Sequence, residues 1–528
     1  MAVKEIYTDL TIIGAGPTGL TVALLARKLG LSVFIADKAP TSLPVGRADA
    51  LNARSQQTLE VVGVLDKLEP KGLKCNTSST FANGEFVSRQ NKWWVSLRNC
   101  FRPNFLMIGQ SDVEAAMHEM LDVECHHDHE ALSIEECPGV DGGDDFVRTT
   151  FKDKVVISKY AVGADGARSM VRNQLQIPFE GDKPNMNWHV LDTFIDTDFP
   201  CCPEIITFQV DGQARISWIP RERGMARFYT LLEDNSRATQ PRIEAEIRKF
   251  LAPHRVDFKR TEWFSIFEIK ERVARTYFSP RQRIVLAGDA AHIHAVNGGQ
   301  GLNTGQADAF ALAWRLALAV KLQGGSHKVL QSYEDERLAT ARAVIDVAAQ
   351  LVRSTVKTAA EYVDLIERNA NYITGMGVAY ARDTLVVRGE PAGIFVPGHR
   401  TPDVYLHAAA GDDVDGEGEG ERLYGSYSYG KFLVLSLRGA SWDPPASAAW
   451  ARDWVETWDV SGGGGGGSSS SSIGAARRFV RMSNVGVTSD QPVDIGDGSA
   501  GFVVVRPDMY TGYAGNDVRG YLEGVFGR

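Results

Sequence analysis

Gly14-Ala15-Gly16-Pro17-Thr18-Gly19 sets three glycines in the spacing G-x-G-x-x-G directly behind the apolar run Leu10 to Ile13. That arrangement can hold a dinucleotide. Gly14 permits a tight turn, Gly16 lets the backbone approach a pyrophosphate, and Gly19 allows a helix to pack closely, while the helix N-terminus offers unpaired N–H groups to the anion. Asp37, with Lys38 beside it, closes the next apolar run, where a carboxylate can accept a ribose hydroxyl. The spacing alone does not distinguish FAD from NAD. The other places that gather reactive side chains read as ordinary structure. Cys125-His126-His127-Asp128-His129 reads as a solvated polar turn, because near-adjacent residues converge poorly on a tetrahedral ion without partners from elsewhere. His292 and His294 lack a third ligand and read as packing residues, so no metal site is expected.

The elements that must position these residues follow from periodicity. A strand at Leu10–Ile13, a helix from about Gly19 to Leu29 and a strand at Ser32–Ala36 make a βαβ unit. Val155 to Ala161 reads as a further strand, and Glu204 to Trp218 and Met225 to Leu232 alternate like antiparallel strands of a half-covered sheet. Arg283 to Ala287 is a short apolar strand; a helix from about Gln306 to Leu322 and a helix-rich stretch from Lys328 to Glu367 follow. The fold class is α/β. Residues 1–180 and 276–390 form a discontinuous nucleotide-binding domain, and 181–275 form an interleaved β-rich domain that carries the substrate site. Residues 397–528 form a small C-terminal α/β domain, with low-complexity insertions at 411–421 and 461–472.

A chain of 528 residues needs more than one hydrophobic core, and 44% hydrophobic with 23% charged residues excludes both a disordered and a membrane-embedded chain. The net charge of −9 leaves no basic footprint for nucleic acid. Six cysteines without a Cys-x-x-Cys pair read as reduced thiols, and the charged N-terminal residues do not read as a signal peptide, so the cytoplasm is the expected compartment.

Two later segments resemble a known family. Ala164-Asp165-Gly166-Ala167-Arg168-Ser169 resembles the DG fingerprint of the FAD-dependent aromatic hydroxylases, the group of phenol 2-monooxygenase and p-hydroxybenzoate hydroxylase. Arg283 to His292, containing Gly288-Asp289, resembles their GD fingerprint, and Gly298-Gly299-Gln300-Gly301-Leu302-Asn303-Thr304-Gly305 their flavin-ring loop. The resemblance implies a Rossmann-like FAD-binding domain, and it implies that Asp289 accepts a hydrogen bond from the ribityl chain, with a helix N-cap as the alternative. By the same resemblance the N–H groups of Leu302 and Asn303 face the flavin O2, where they stabilise negative charge on the reduced ring. Arg47 matches an arginine near the FAD, Asp49 an acid near flavin and substrate, and Gln110 a glutamine on the ribityl or phosphate region. Arg54 reads either as part of this site or as a surface charge, and Arg272 as a family arginine or a solvated one.

Two departures stand out. Ala295-Val296 replaces the proline-containing pair of the family, and Phe267 is the nearest equivalent of its phenol-anchoring tyrosine. Val504 to Tyr510 and Gly398 to Asp403 resemble the end and the entry of the thioredoxin-like domain appended to phenol hydroxylases, which implies a structural or homodimerising role. The implied activity is hydroxylation of a phenol-like, polyketide-type aromatic substrate by NAD(P)H and O2 through a flavin C4a-hydroperoxide. With no second dinucleotide fingerprint behind a strand, the nicotinamide is expected to visit rather than reside. A flavin-dependent halogenase is the rival reading; its Trp-x-Trp-x-Ile-Pro element lacks the first tryptophan at Ile216-Ser217-Trp218-Ile219-Pro220. A non-catalytic flavin-binding scaffold is the other.

Overall fold

Strand Lys4–Ile13 runs parallel to Val33–Ala36 on one side and to Lys154–Gly163 on the other, with Leu10, Ile12 and Ile13 buried. Burial on both faces is what a parallel sheet demands, and it explains the unbroken apolar run. The structure is a computed structural model that describes residues 4–90, 97, 100–139, 143–200, 204–209, 216–232, 234, 236–296, 298–322, 326–354, 359–408, 421–442, 448–460, 477–484 and 498–527. Apart from Glu421, the two expected insertions lie outside these residues. The seven-stranded sheet also takes in Cys125–His126 and Ile284–Leu286 as parallel strands, and Phe146–Thr150 with Ser133–Cys137 as an antiparallel extension.

Helix Pro17–Lys28 opens with proline at its first position, where the fixed φ suits a helix and the missing N–H costs nothing, and it ends on Arg27 and Lys28. It packs against the long helix Gln300–Lys321. That second helix begins earlier than periodicity predicts, since Gly301 and Gly305 are helical and only Gly298 and Gly299 take left-handed backbone (φ 83° and 62°).

A second seven-stranded sheet is ordered Val256–Glu268, Asn187–Thr197, Ala226–Leu231, Ile216–Pro220, Ile205–Gln209, Ser78–Ala82, Glu85–Gln90. Its last two strands come from the stretch that sequence patterning places in the nucleotide-binding half. One face packs on helix Gln240–Leu251 through Ile243, Ile247 and Phe250, which meet Phe208 and Phe228. The opposite face carries Trp188, Thr207, Ser217 and Tyr229.

The C-terminal unit is an eight-stranded mixed sheet built around Phe432–Leu437, which pairs parallel with Val455–Val460 and antiparallel with Phe502–Val505. Its entry and exit meet: Thr401 N–H donates to Met509 O, and Arg400 bridges Tyr510. The unit is welded to the first domain by buried charge. Arg506 bonds both oxygens of Glu336 on helix Ser326–Arg353 and both of Asp508, while Arg315 bonds Glu336 at 2.7 Å. Arg54, left open as a surface charge by its sequence, is buried there too and donates to Asp508 O at 2.6 Å.

Candidate active site and nucleotide cradle

The glycines of the first turn behave as their spacing requires. A Cβ on Gly14 (φ 106°) would sit 2.3 Å from Ala164 O, and one on Gly19 would sit 1.9 Å from Gly14 O, so neither position admits a side chain. At Gly16 a Cβ would meet nothing within 4 Å, and the residue is the N-cap of helix Pro17–Lys28 without a side-chain cap. Bare backbone therefore faces open space at a helix N-terminus, the geometry that admits a phosphate. Asp37 receives the N–H of Ala15 and of Ala39, each at 2.7 Å, and so sits against the same turn; Lys38 is exposed beside it.

Thr18 joins the first fingerprint to the later ones. Its Oγ1 lies 2.5 Å from where a Cβ of Gly288 would be and 2.4 Å from that of Gly305. Only glycine at both positions lets the three segments close around one cradle. Asp165 spends Oδ2 on the N–H groups of Met170 (2.6 Å) and Val171 (3.1 Å), and its Oδ1 is buried with no partner among the described residues. Arg172, not singled out from sequence, ties the two fingerprints by donating to Ala290 O (2.8 Å) and Ala167 O (3.0 Å). Asp289 accepts no hydrogen bond from the described residues, so it does not act as a helix cap. Its carboxylate tip reaches solvent, yet it lies deep in the cleft, and lost hydration pushes its pKa up against the opposing pull of His292 and Arg47. His292 is a packing residue in a buried charge chain: its Nε2 lies 2.7 Å from Asp308 Oδ2, and Arg337 donates to Asp308 Oδ1 at 2.7 Å. Arg272 is half-buried on strand Glu271–Ala274.

Gln110 opens helix Gln110–Met120, accepts the Ala48 N–H at 3.2 Å and donates to Glu114 at 2.8 Å; Glu114 in turn accepts the Leu43 N–H. Its side chain thus holds the loop of Arg47. Arg47 itself has left-handed backbone (φ 66°) and an exposed side chain. Asn303 bonds the Asn52 N–H (2.9 Å) and donates to Ala50 O (3.0 Å) and Gly299 O (2.6 Å), locking the start of its helix to the Asp49 loop. A Cβ on Gly301 would meet nothing within 4 Å, so this helix, like the first, presents bare backbone at its N-terminus, with Leu302 and Asn303 in the first turn. The uncapped helix starts at Gly16 and Gly301, the unpartnered Asp165 oxygen and the uncommitted Asp289 carboxylate are groups that could hold FAD.

Beside Gly298 and Gly299 lies a cavity of about 130 Å³. Its far wall is the second sheet, with Trp188, Ile205, Thr207, Ser217, Ile219 and Tyr229, and its lid is Leu351 with Tyr362, Ile366 and Ile373. The lining is mainly apolar. The polar exceptions are Ser78, Ser79, Thr80, Thr207, Ser217 and Asp49, of which Asp49 is 7% exposed and receives the Tyr229 hydroxyl at 3.4 Å. Arg227, fully buried, organises the pair. It grips both oxygens of Asp192 (2.5 and 2.6 Å), donates to Arg47 O and to the Tyr229 hydroxyl, and lies 3.5 Å from Asp49 Oδ2. Burial first, and then the negative charge of Asp49, push the Tyr229 phenol far up, so it stays a donor at neutral pH.

The structure therefore places Asp49 in the cavity wall with the Tyr229 hydroxyl beside it, while Arg47 is not among the cavity-lining residues. Phe267 is not among the cavity-lining residues; it packs on Trp263 at a ring distance of 5.7 Å, in a cluster with Trp188 and Val296. Trp218, the remnant of a halogenase-like element, turns to the opposite face and packs on Phe228. The run at 125–129 is not a solvated turn: Cys125, His126, His127 and His129 are all half-buried. Among the described residues no helix is long and apolar enough to cross a membrane.

Comparison with known proteins agrees with this geometry. The family described as "FAD binding domain" matches residues 7–348. A phenol 2-monooxygenase of Aspergillus fumigatus is 29% identical over 434 residues, covering 76% of this chain and 71% of that protein. A 3-hydroxybenzoate 4-monooxygenase of Comamonas testosteroni is 26% identical over 431 residues, covering 71% and 66%. Among solved structures, the anhydrotetracycline hydroxylase OxyS of Streptomyces rimosus aligns with a TM-score of 0.73 at 22% identity over 99% of this chain and 100% of that one. Aklavinone-11 hydroxylase, in a ternary complex with FAD and aklavinone, aligns with a TM-score of 0.74 at 20% identity over 99% of both chains.

Proposed function

Since the chain belongs to the FAD-binding domain family, we propose that it is an FAD-dependent monooxygenase that hydroxylates a phenol-like aromatic substrate with NAD(P)H and O2. The observation that carries this reading is the Tyr229–Asp49 pair, set in an apolar cavity whose near wall is Val296, Gly298 and Gly299. Gly16, Asp165, Asp289 and Gly301 would hold FAD, which would supply hydride acceptance from a visiting nicotinamide and activation of dioxygen. The chain supplies the rest. Tyr229 donates a hydrogen bond to the phenolic oxygen, and Asp49 Oδ2 accepts the phenolic proton, which sends electron density into the ring at the carbon to be oxidised. Arg227 keeps Asp49 and Tyr229 in register while Asp192 balances its charge. Trp188, Ile219 and Leu351 exclude water from the reacting carbon.

The mainly apolar lining around Asp49 and Tyr229 suits an aromatic ring whose hydroxyl meets that pair. A panel of one-, two- and four-ring phenols, scored by stimulated NADPH oxidation and by a product mass increase of one oxygen atom, tests this reading. A chain that binds FAD but gives no oxygenated product from any ring size contradicts it.

A further inference from the structure

Helix Gln110–Met120 delivers His118 from its last turn to the strand Cys125–His126, on the edge of the first sheet beyond Asp37. In an extended segment, residues two apart share a face. Cys125 and His127 accordingly point one way, while His126 points the other and stacks on Phe34 at 4.5 Å. His118, Cys125 and His127 come together, each half-buried, with one ligand atom from each lying within 4.8 Å of the others. Two ring nitrogens in this group, His118 Nε2 and His127 Nδ1, are buried with no hydrogen-bond partner among the described residues. Two orphaned nitrogens and a thiol facing one point are costly as a packing arrangement and well suited to a cation.

We propose that His118, Cys125 and His127 form a transition-metal site of the zinc type, with solvent completing the tetrahedron. Two imidazoles and a thiolate are borderline-to-soft donors that select zinc-like ions over magnesium or calcium. Tetrahedral zinc, with Zn–N of about 2.0–2.1 Å and Zn–S of about 2.3 Å, needs ligand atoms about 3.3–3.6 Å apart. From up to 4.8 Å apart, the three atoms must close by as much as about 1.2–1.5 Å, within reach of rotamer adjustment. Binding releases the thiol proton to solvent and leaves a Zn–S bond. Negative charge close to Cys125, from Asp37 and Glu124, favours a cation there. The site is structural in effect. Asp37 N–H donates to His126 O and His129 N–H to Asp37 O, both at 2.9 Å, so an ion on this segment stiffens the platform that carries Asp37.

The test uses the full-length, FAD-loaded protein, stripped with a chelator, desalted, and titrated with Zn²⁺ against a chromophoric competitor. The expected result is one tight equivalent, weakened at least tenfold in each of Cys125→Ser, His118→Gln and His127→Gln and unchanged in His399→Gln, with retained flavin colour and melting temperature confirming each fold. Co²⁺ in place of Zn²⁺ should give tetrahedral d–d bands at longer wavelength than the flavin, and these should be absent from Cys125→Ser. An absence of stoichiometric binding, or equal binding in wild type and all three ligand variants, overturns the proposal. Neither outcome bears on the monooxygenase reading.

Discussion

Asp49→Asn removes the proton acceptor of the cavity and little else. The substitution is isosteric, and Arg227 keeps its paired contacts to Asp192, so the buried cation stays anchored and the Tyr229 hydroxyl stays in place. The size of the effect follows from the substrate. A phenol with a pKa of about 10 is ionised to about one part in a thousand at pH 7, and a positioned base contributes about 10²- to 10⁴-fold. Product formation in Asp49→Asn should therefore fall by about 10³-fold at pH 7, and the deficit should shrink about tenfold for each pH unit toward pH 9. Substrate-stimulated NADPH oxidation should fall far less, because flavin reduction does not need the phenolate, and the difference should appear as hydrogen peroxide. The assay follows NADPH consumption, peroxide and hydroxylated product side by side from pH 6.5 to 9. Product formation within threefold of wild type at pH 7, or a deficit that does not change with pH, would refute the assignment of Asp49 as base.

Asp289→Ala should weaken FAD binding by roughly 10- to 150-fold, the loss of one charge-assisted hydrogen bond of about 1.5–3 kcal/mol, read by fluorescence as the flavin dissociates. Gly305→Ala drives a methyl group to 2.4 Å from Thr18 Oγ1 and should destabilise the FAD-bound protein by about 1–3 kcal/mol, seen as a lowered melting temperature. Thr18→Ala in the same chain should recover part of that loss, and no recovery would mean the strain lies elsewhere. Burial holds the His294 pKa down at about 4, while in the unfolded chain it is about 6.5. Between those values the unfolded state takes up a proton that the folded state refuses, so acidification from pH 6.5 to 4 favours unfolding. His294→Asn should flatten that part of the melting-temperature profile; an unchanged slope assigns the acid sensitivity to other groups.

The nucleotide cradle was legible in the sequence because its determinants are local. Gly14, Gly16, Gly19 and Asp37 act through a turn and two adjacent strands, and their spacing carries the geometry. The proposed catalytic pair was only half legible. Asp49 stood in a recognisable stretch, but Tyr229 is one aromatic among neighbours, and the pairing of Ala226–Leu231 with Asn187–Thr197 decides that Phe228 faces the core and Tyr229 the cavity. The alternation Arg227-x-Tyr229 was the available signal. Phe267 drew attention in its place because it precedes a recognisable arginine, and local order in the chain says nothing about which side of a bulged strand meets a cavity. The helix start at Gln300 was hidden by Gly301, which leaves bare backbone there, and Gly305, which packs closely on Thr18. Strands Ser78–Ala82 and Glu85–Gln90 joined the second sheet through a pairing with Ile205–Gln209 that no local pattern announces. His118 met Cys125 and His127 for the same reason.

The buried weld between the C-terminal unit and the first domain has a consequence for biosynthesis. Arg315 and Glu336 leave the ribosome long before Arg506 and Asp508, which complete their charge cluster in the folded protein. Until then Trp314, whose indole N–H donates to Asp508 at 3.2 Å, and Arg54, which caps the Asp508 carbonyl, wait beside an unfinished surface. The nucleotide-binding half thus draws some of its buried polar contacts from 170 residues further along the chain, and a chain that stops before Arg506 exposes a charged, half-paired seam to cellular quality control.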